Sequence, residues 1–206
     1  MNNIEEEARE AVRASVDPAT FEAIETFVAS CQAWGRVTNL VSVADRDRLW
    51  HRHVMDSLQL LPLAEGAGPD WIDLGSGGGF PGMVVALARK GTRMTLVESN
   101  RKKSAFLLQA AAASGASIRV EPRRIEALPT KVHDVVSARA LAALDALLGY
   151  ALPFFGERTI GLFPKGRDAA REIEEARRRF HFEVRETPSR TEADAAILTV
   201  SQLTRV

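Results

Sequence analysis

The chain has 206 residues with 27 basic and 27 acidic side chains, enough for one moderate domain with a full core and without a global field that would draw nucleic acid. Any such contact must therefore use local basic patches. A single cysteine, Cys31, excludes an internal disulfide. The start, Met1 to Glu7, has neither a basic nor an apolar leader region, and no run approaches the roughly 20 apolar residues that span a bilayer, so a cytoplasmic protein is expected.

Residues 4 to 61 read as helical. Asp17 and Pro18 form an N-cap and first-turn pair, an apolar face runs from Phe21 to Trp34, and Gly35 suits the position just past the helix end. Cys31 shares that face and reads as a packed core thiol. A loop around Asn39, Leu40 and Val41 follows. Ser42, with Asp45 three residues on, predicts a capping-box-like start for a helix carrying Leu49, Trp50, Val54, Leu58 and Leu61. On its other side His53 and Asp56 are neighbours on a helix surface, either as a local hydrogen bond or as a functional pair. No cysteine or further carboxylate is spaced to complete a zinc site, so no metal is expected.

Gly66 to Pro69 break the helical pattern, and we expect the division here: 1–66 as a helical extension packed on the core, and 67–206 as one compact unit. From Asp70 the period changes to alternating strand and helix, the pattern of a parallel sheet. Strands are predicted near 70–74, 93–98, 117–121, 133–138 and 158–163. Helices are predicted near 81–90, 100–114, 140–150 and 167–180, with only a short turn at Ile125 to Ala127. Two final extended runs, 181–187 and 195–203, suit a hairpin with an antiparallel last strand.

The most informative stretch joins the first strand to its helix: Trp71-Ile72-Asp73-Leu74-Gly75-Ser76-Gly77-Gly78-Gly79-Phe80-Pro81-Gly82. Its glycines permit positive φ and close approach of a ligand to the backbone, and Pro81 fits a helix start whose free N–H groups face the loop. A dinucleotide fingerprint wants glycine where Phe80 stands. Asp73 would also repel a pyrophosphate, whereas it suits the cationic S-adenosylmethionine. Glu98, followed by Ser99, ends the second strand about twenty residues past the loop, the place of an acid for ribose hydroxyls. Ligands of such a sheet sit at the carboxyl ends of its strands, which puts Glu126 and Arg139 in the site. An ion pair with Arg123 is the alternative role for Glu126. Basic clusters at Arg101 to Lys103, Arg123-Arg124 and Lys165 to Arg167 lie near the same crevice, where RNA phosphates are one use for them. Arg177 to Arg179 share a helix with Glu172, Glu174 and Glu175 and read as a solvated face.

Four segments together resemble the glucose-inhibited division protein B family: Asp73 to Gly82, Arg52 to Leu58 after Asn39-Leu40, Ser137 to Ala140, and Phe163 to Gly166. The resemblance covers nearly the whole chain. It implies a class I S-adenosylmethionine-dependent methyltransferase: a Rossmann-like α/β sheet, mostly parallel with an antiparallel last strand, plus the N-terminal helical segment. The implied activity is transfer of a methyl group to N7 of a guanine in 16S ribosomal RNA, free or in the small subunit, by a protein taken as a monomer without metal or membrane. By the same resemblance Gly75, Phe80, Ile125, Glu126 and Arg139 hold the cofactor, with Asp73, Gly77, Glu98 and Ser99 beside them. Arg139, Lys165, His53 and Asp56 take positioning roles, with no general base. Glu192-Ala193-Asp194 stand where the family pattern leads one to expect a more basic hairpin. The competing expectations are a methyltransferase for a small molecule or protein on the same cofactor site, and a non-catalytic S-adenosylmethionine-binding protein.

Overall fold

The computed structural model describes residues 3–35, 38–42 and 45–206. Seven strands form one sheet in the order β3-β2-β1-β4-β5-β7-β6. They are β1 (Asp70–Leu74), β2 (Arg93–Val97), β3 (Ile118–Glu121), β4 (Val135–Ser137), β5 (Ile160–Lys165), β6 (Phe180–Pro188) and β7 (Ala196–Arg205). The first five pair in parallel, while β7 is antiparallel to both β5 and β6. The predicted mostly parallel sheet with a closing hairpin is therefore observed, and the hairpin turns back so that its second strand lies against β5.

The order reverses between β1 and β4, because the chain winds from β1 to β3 on one side and resumes on the other. That switch point opens a crevice beyond the two strand ends. Register pairs Asp73 with Ser137 at this point. Side chains of β1 alternate between two cores, Trp71 on one face and Ile72 and Leu74 on the other. Helices α1 (Asn3–Ser15) and α2 (Pro18–Gly35) cover the Trp71 face, where Phe27 packs on Phe80 and Phe106 with ring centroids 5.1 and 6.5 Å apart. Asp17 caps α2 as expected, accepting the Thr20 N–H at 3.1 Å. Gly35 is the last residue of α2 rather than the position beyond it. Among the described residues no helix is long and apolar enough to cross a membrane.

Three expectations need correction. Ser42 and Asp45 bond each other through side chains at 2.6 Å, but the helix that carries Leu49, Trp50 and Val54 begins only after Arg48. The helical segment begins near Leu49 as a π-helix, Trp50–Met55, followed by short α turns at Asp56–Leu58 and Leu60–Leu63. Its first free N–H groups are taken by Glu5, which is buried in α1 and accepts from Trp50 and His51, both at 3.0 Å. A carboxylate there satisfies two orphan donors and meets the positive helix end.

The helix predicted at 140–150 begins only at Leu144 (Leu144–Ala151). Ala140 takes φ +52° and the Glu172 carboxylate accepts the Leu144 N–H at 2.7 Å, which leaves 139–143 as a loop over the crevice. The helix predicted at 167–180 shortens to Ala169–Ala176, because Phe180 is fully buried as the first residue of β6.

Candidate active site

The glycine loop leaves β1 with Gly75 at φ +70° and Gly77 at φ +55°. A Cβ on Gly75 would stand 2.6 Å from Leu141 of the loop after β4, whereas one on Gly77 would meet nothing closer than 3.8 Å. Gly75 is therefore required by packing and conformation together, and Gly77 by conformation beside open space. Glu98 reaches this loop from the end of β2. One carboxylate oxygen accepts the Gly77 N–H at 2.9 Å and the other the Asn100 N–H at 2.7 Å. Asn100 in turn caps the helix Arg101–Ser114 through Lys102 and Lys103. Glu98 is thus the tie between loop and helix.

Asp73 lies beneath the loop, fully buried, and does not itself line the crevice. Its Oδ1 accepts the Ser137 hydroxyl at 2.7 Å, and Ser137 accepts the Trp71 indole N–H at 2.9 Å. Oδ2 has no hydrogen-bond partner among the described residues. Burial pushes its pKa up to about 6, against the pull of Ser137. Sequence reasoning noted Asp73 but missed the Trp71-Ser137-Asp73 relay. Its only local trace is a polar serine ending the apolar run Val135-Val136.

The second half of the site is built around Arg139, held 5.6 Å from the Phe80 ring centroid. Its guanidinium donates to the Arg52 carbonyl at 2.9 Å, to Asp56 Oδ2 at 3.2 Å and to His53 Nδ1. The His53 ring packs against Phe80, centroids 4.8 Å apart and planes tilted by 31°. His53 and Asp56 thus meet through Arg139; no hydrogen bond joins them directly. Burial and then Arg139 lower the His53 pKa to about 3, so the ring is neutral at pH 7, and because Nδ1 accepts from Arg139 the proton is assigned to Nε2. Burial also presses the Arg139 pKa below its ordinary value, with Asp56 opposing. The π-helical turn sets His53 and Asp56 toward a common partner, a device frequent at functional sites.

Two cavities meet at the glycine loop and the 140–142 segment. The smaller, about 350 Å³, is lined by Val97, Glu98, Ser99, Ile125, Glu126 and Tyr150 among others. The larger, about 880 Å³, is lined by residues that include Asn39, His53, Asp56, Phe80, Arg139 and Glu192. Glu126 stands on the short turn Ile125–Ala127 and is exposed. Arg123 pairs with Glu121 at 3.1 Å, so the alternative role for Glu126 is not seen. Lys165 lines the larger cavity but its ammonium is spent within the protein, bonded to Glu172 at 2.8 Å and to the Ala142 carbonyl at 2.7 Å. Cys31 is buried against the Gly78 carbonyl, 3.9 Å from its sulfur, and burial raises its thiol pKa far above the ordinary range. Among the described residues no cluster of three or more histidine, cysteine or acidic side chains is arranged to hold a metal.

The larger cavity is also walled by the tip of the β6–β7 hairpin. Sequence reasoning singled out this tip only for its acidity. Glu192 there pairs with Arg52. Thr191 and Arg190, which no motif signals, bond Asp56 and Gln59.

Among solved structures the fold is similar to the N-methyltransferase NodS of Bradyrhizobium japonicum WM9, in complex with S-adenosyl-L-homocysteine. The TM-score is 0.55 at 14% identity, covering 83% of this chain and 96% of that one. It is also similar to a ribosomal protein L11 methylase of Lactobacillus delbrueckii subsp. bulgaricus, with a TM-score of 0.57 at 18% identity, covering 70% and 75%. In sequence, the ribosomal RNA small subunit methyltransferase G of Methylorubrum extorquens (strain PA1) is 45% identical over 196 residues, 93% of this chain and 92% of the relative. That of Rhizobium meliloti (strain 1021) is 42% identical over 198 residues, 92% of each. The profile of the GidB family, described as rRNA small subunit methyltransferase G, matches residues 20–197. With that match over most of its length, the chain belongs to the GidB family.

Proposed function

We propose that the protein transfers a methyl group from S-adenosyl-L-methionine to N7 of one guanine in 16S ribosomal RNA. The observation that carries the reading is the union of a glycine loop and a buried arginine socket at one sheet switch point, in a chain of this family. The residues suit that cofactor. Asp73 Oδ2 is buried and unpartnered beneath the loop, so a cation bound above it is favoured and a phosphate opposed. The space over Gly77 would be closed by no side chain.

Gly75, Gly77, Glu98, Ser99, Ile125 and Glu126 would hold the nucleoside in the smaller cavity, and Phe80 and Arg139 the amino-acid end at the junction with the larger. When bound, the cofactor supplies an electrophilic methyl on a sulfonium. Guanine N7 carries a free lone pair, so its new bond to carbon forms as the carbon–sulfur bond breaks, with no proton to remove. Such a reaction suits a site whose His53 Nδ1 and Asp56 are both committed to Arg139. Catalysis is then placement and exclusion of water. Lys165 contributes by anchoring the 140–143 loop through Ala142. Exposed Arg101, Lys102, Arg124 and Arg167 are among the cations available to RNA phosphates. In this reading residues 1–66 close the site over the catalytic unit 67–206, and the protein works as a cytoplasmic monomer.

The test is transfer of labelled methyl from S-adenosylmethionine to small ribosomal subunits from cells lacking the protein, followed by chemical cleavage at N7-methylguanine. Label at one guanine is expected. Cofactor binding without label on subunits or stripped RNA would discard the RNA assignment.

A further inference from the structure

The socket of Arg139 has a side that the family pattern does not mark. Asp56 Oδ2 accepts from Arg139, and its Oδ1 accepts the Thr191 hydroxyl at 2.9 Å and the Gln59 amide at 3.2 Å. The Gln59 side-chain oxygen in turn accepts the Arg190 backbone N–H at 2.6 Å. Ser189 steadies the threonine, its Oγ accepting the Thr191 N–H at 3.2 Å. Arg52, whose carbonyl accepts from Arg139, has its side chain paired with Glu192. The hairpin tip thus grips Arg52 and Asp56, two of the three residues that accept from Arg139. Thr191 is 8% exposed, so its hydroxyl bond is made away from solvent, where an oriented donor counts for more.

We propose that Thr191 is a positioning residue for Arg139, acting through Asp56, so that the β6–β7 hairpin tip belongs to the working site. A carboxylate bound by one cation on one oxygen retains rotational freedom. Hydroxyl and amide donors on the other oxygen remove it, and with it the freedom of the guanidinium. The proposal rests on the reading that Arg139 serves the cofactor.

The experiment compares Thr191→Val, which deletes the hydroxyl at nearly constant shape, with Thr191→Ser, which restores it, with thermal melting to check that each folds. Calorimetry should show the dissociation constant for S-adenosylmethionine rising about tenfold in Thr191→Val, or about 1.4 kcal/mol. In Thr191→Ser it should rise less than about threefold, about 0.65 kcal/mol. In an Arg139→Lys background Thr191→Val should add almost nothing. Equal losses in both variants, full additivity with Arg139→Lys, or unchanged binding in Thr191→Val would each overturn the proposal. A cofactor-free readout separates it from the functional reading. The ¹⁵N guanidinium signal of Arg139 should be sharp in the wild type and exchange-broadened in Thr191→Val, and an unchanged signal would refute the coupling. If the wild type bound no S-adenosylmethionine, the functional reading would fall and this signal would still decide the coupling.

Discussion

The two halves of the site are held by different physics. On the glycine-loop side, backbone does the work: positive φ at Gly75, Gly77 and Gly79 shapes the turn, and Glu98 accepts main-chain N–H groups on either side of it. On the arginine side, one guanidinium gathers acceptors from Arg52, His53 and Asp56, while the hairpin tip gathers Asp56. The first half is stiff because its conformations leave no alternative. The second is stiff only while its charges remain matched, since a buried cation that loses its partner is costly. A substitution on the loop side should therefore damage shape and stability together, and one on the arginine side should show itself in charge and pH.

The largest effect is expected from Gly79→Ala. Gly79 has φ +92°, and a Cβ there would stand 2.8 Å from Met83 and 2.9 Å from Phe27. Strain and overpacking together should cost about 4 kcal/mol, read as a lowered denaturant midpoint. A loss below about 1 kcal/mol would show that the loop is more pliable than the comparison holds. Next comes Arg139→Ala, which strands the Asp56 carboxylate at 16% side-chain exposure. We expect about 3 kcal/mol of lost stability and about a hundredfold weaker methyl transfer, with the stability loss partly recovered by adding Asp56→Asn. If both cofactor affinity and transfer were unchanged, Arg139 would have no place in the site.

Acid titration sharpens the contrast, because the two halves respond with opposite sign. The Asp73 pKa rises on folding to about 6, so its burial costs stability above that pH and the cost is relieved as pH falls toward its ordinary 3.8. The His53 pKa falls on folding from 6.5 to about 3, so stability is lost as pH falls through 6.5 toward 3. Between pH 6 and 4 the two oppose each other, each by up to about 3 kcal/mol. Asp73→Asn should then make acid unfolding steeper in this window, and His53→Gln should make it shallower. Identical slopes in wild type and both variants would remove this account. The smallest effect is expected from Glu5→Gln, which weakens the cap on the Trp50 and His51 N–H groups by about 1 kcal/mol and should move cofactor affinity less than about threefold. A larger change in affinity would mean that the arginine side is coupled to α1 more tightly than its direct bonds indicate.

Much of the loop half is legible in the sequence, since its signals are short-range. A strand ending in Asp73, glycines at fixed offsets, Phe80-Pro81 in place of a third glycine, and an acid about twenty residues on define a ligand turn by local conformation alone. Five of the strands could be placed within about two residues for the same reason: an apolar run between breakers has few places to start and stop. The arginine half was legible only as a parts list. His53, Asp56 and Arg139 were named as site residues, yet nothing local shows that the first two share the third. Thr191 and Gln59 carry no motif at all, and Ser137 belongs to one that says nothing of its bond to Asp73. Residues 140–143 read as helix in the sequence because Ala140 to Leu144 has high helical propensity, which a φ of +52° at Ala140 and the remote carboxylate of Glu172 override.

The sequence by itself determined the parallel sheet, the glycine turn and the acid of β2, because each follows from periodicity, steric permission or spacing along a few tens of residues. Only the tertiary structure decided that Glu5 caps a helix 45 residues away, that Arg139 is the common partner of His53 and Asp56, and that an acidic hairpin tip closes around them. Such contacts depend on which surfaces the folded sheet and its helices bring within about 3 Å of each other, and hydrogen bonds act at that range whatever the separation in the chain.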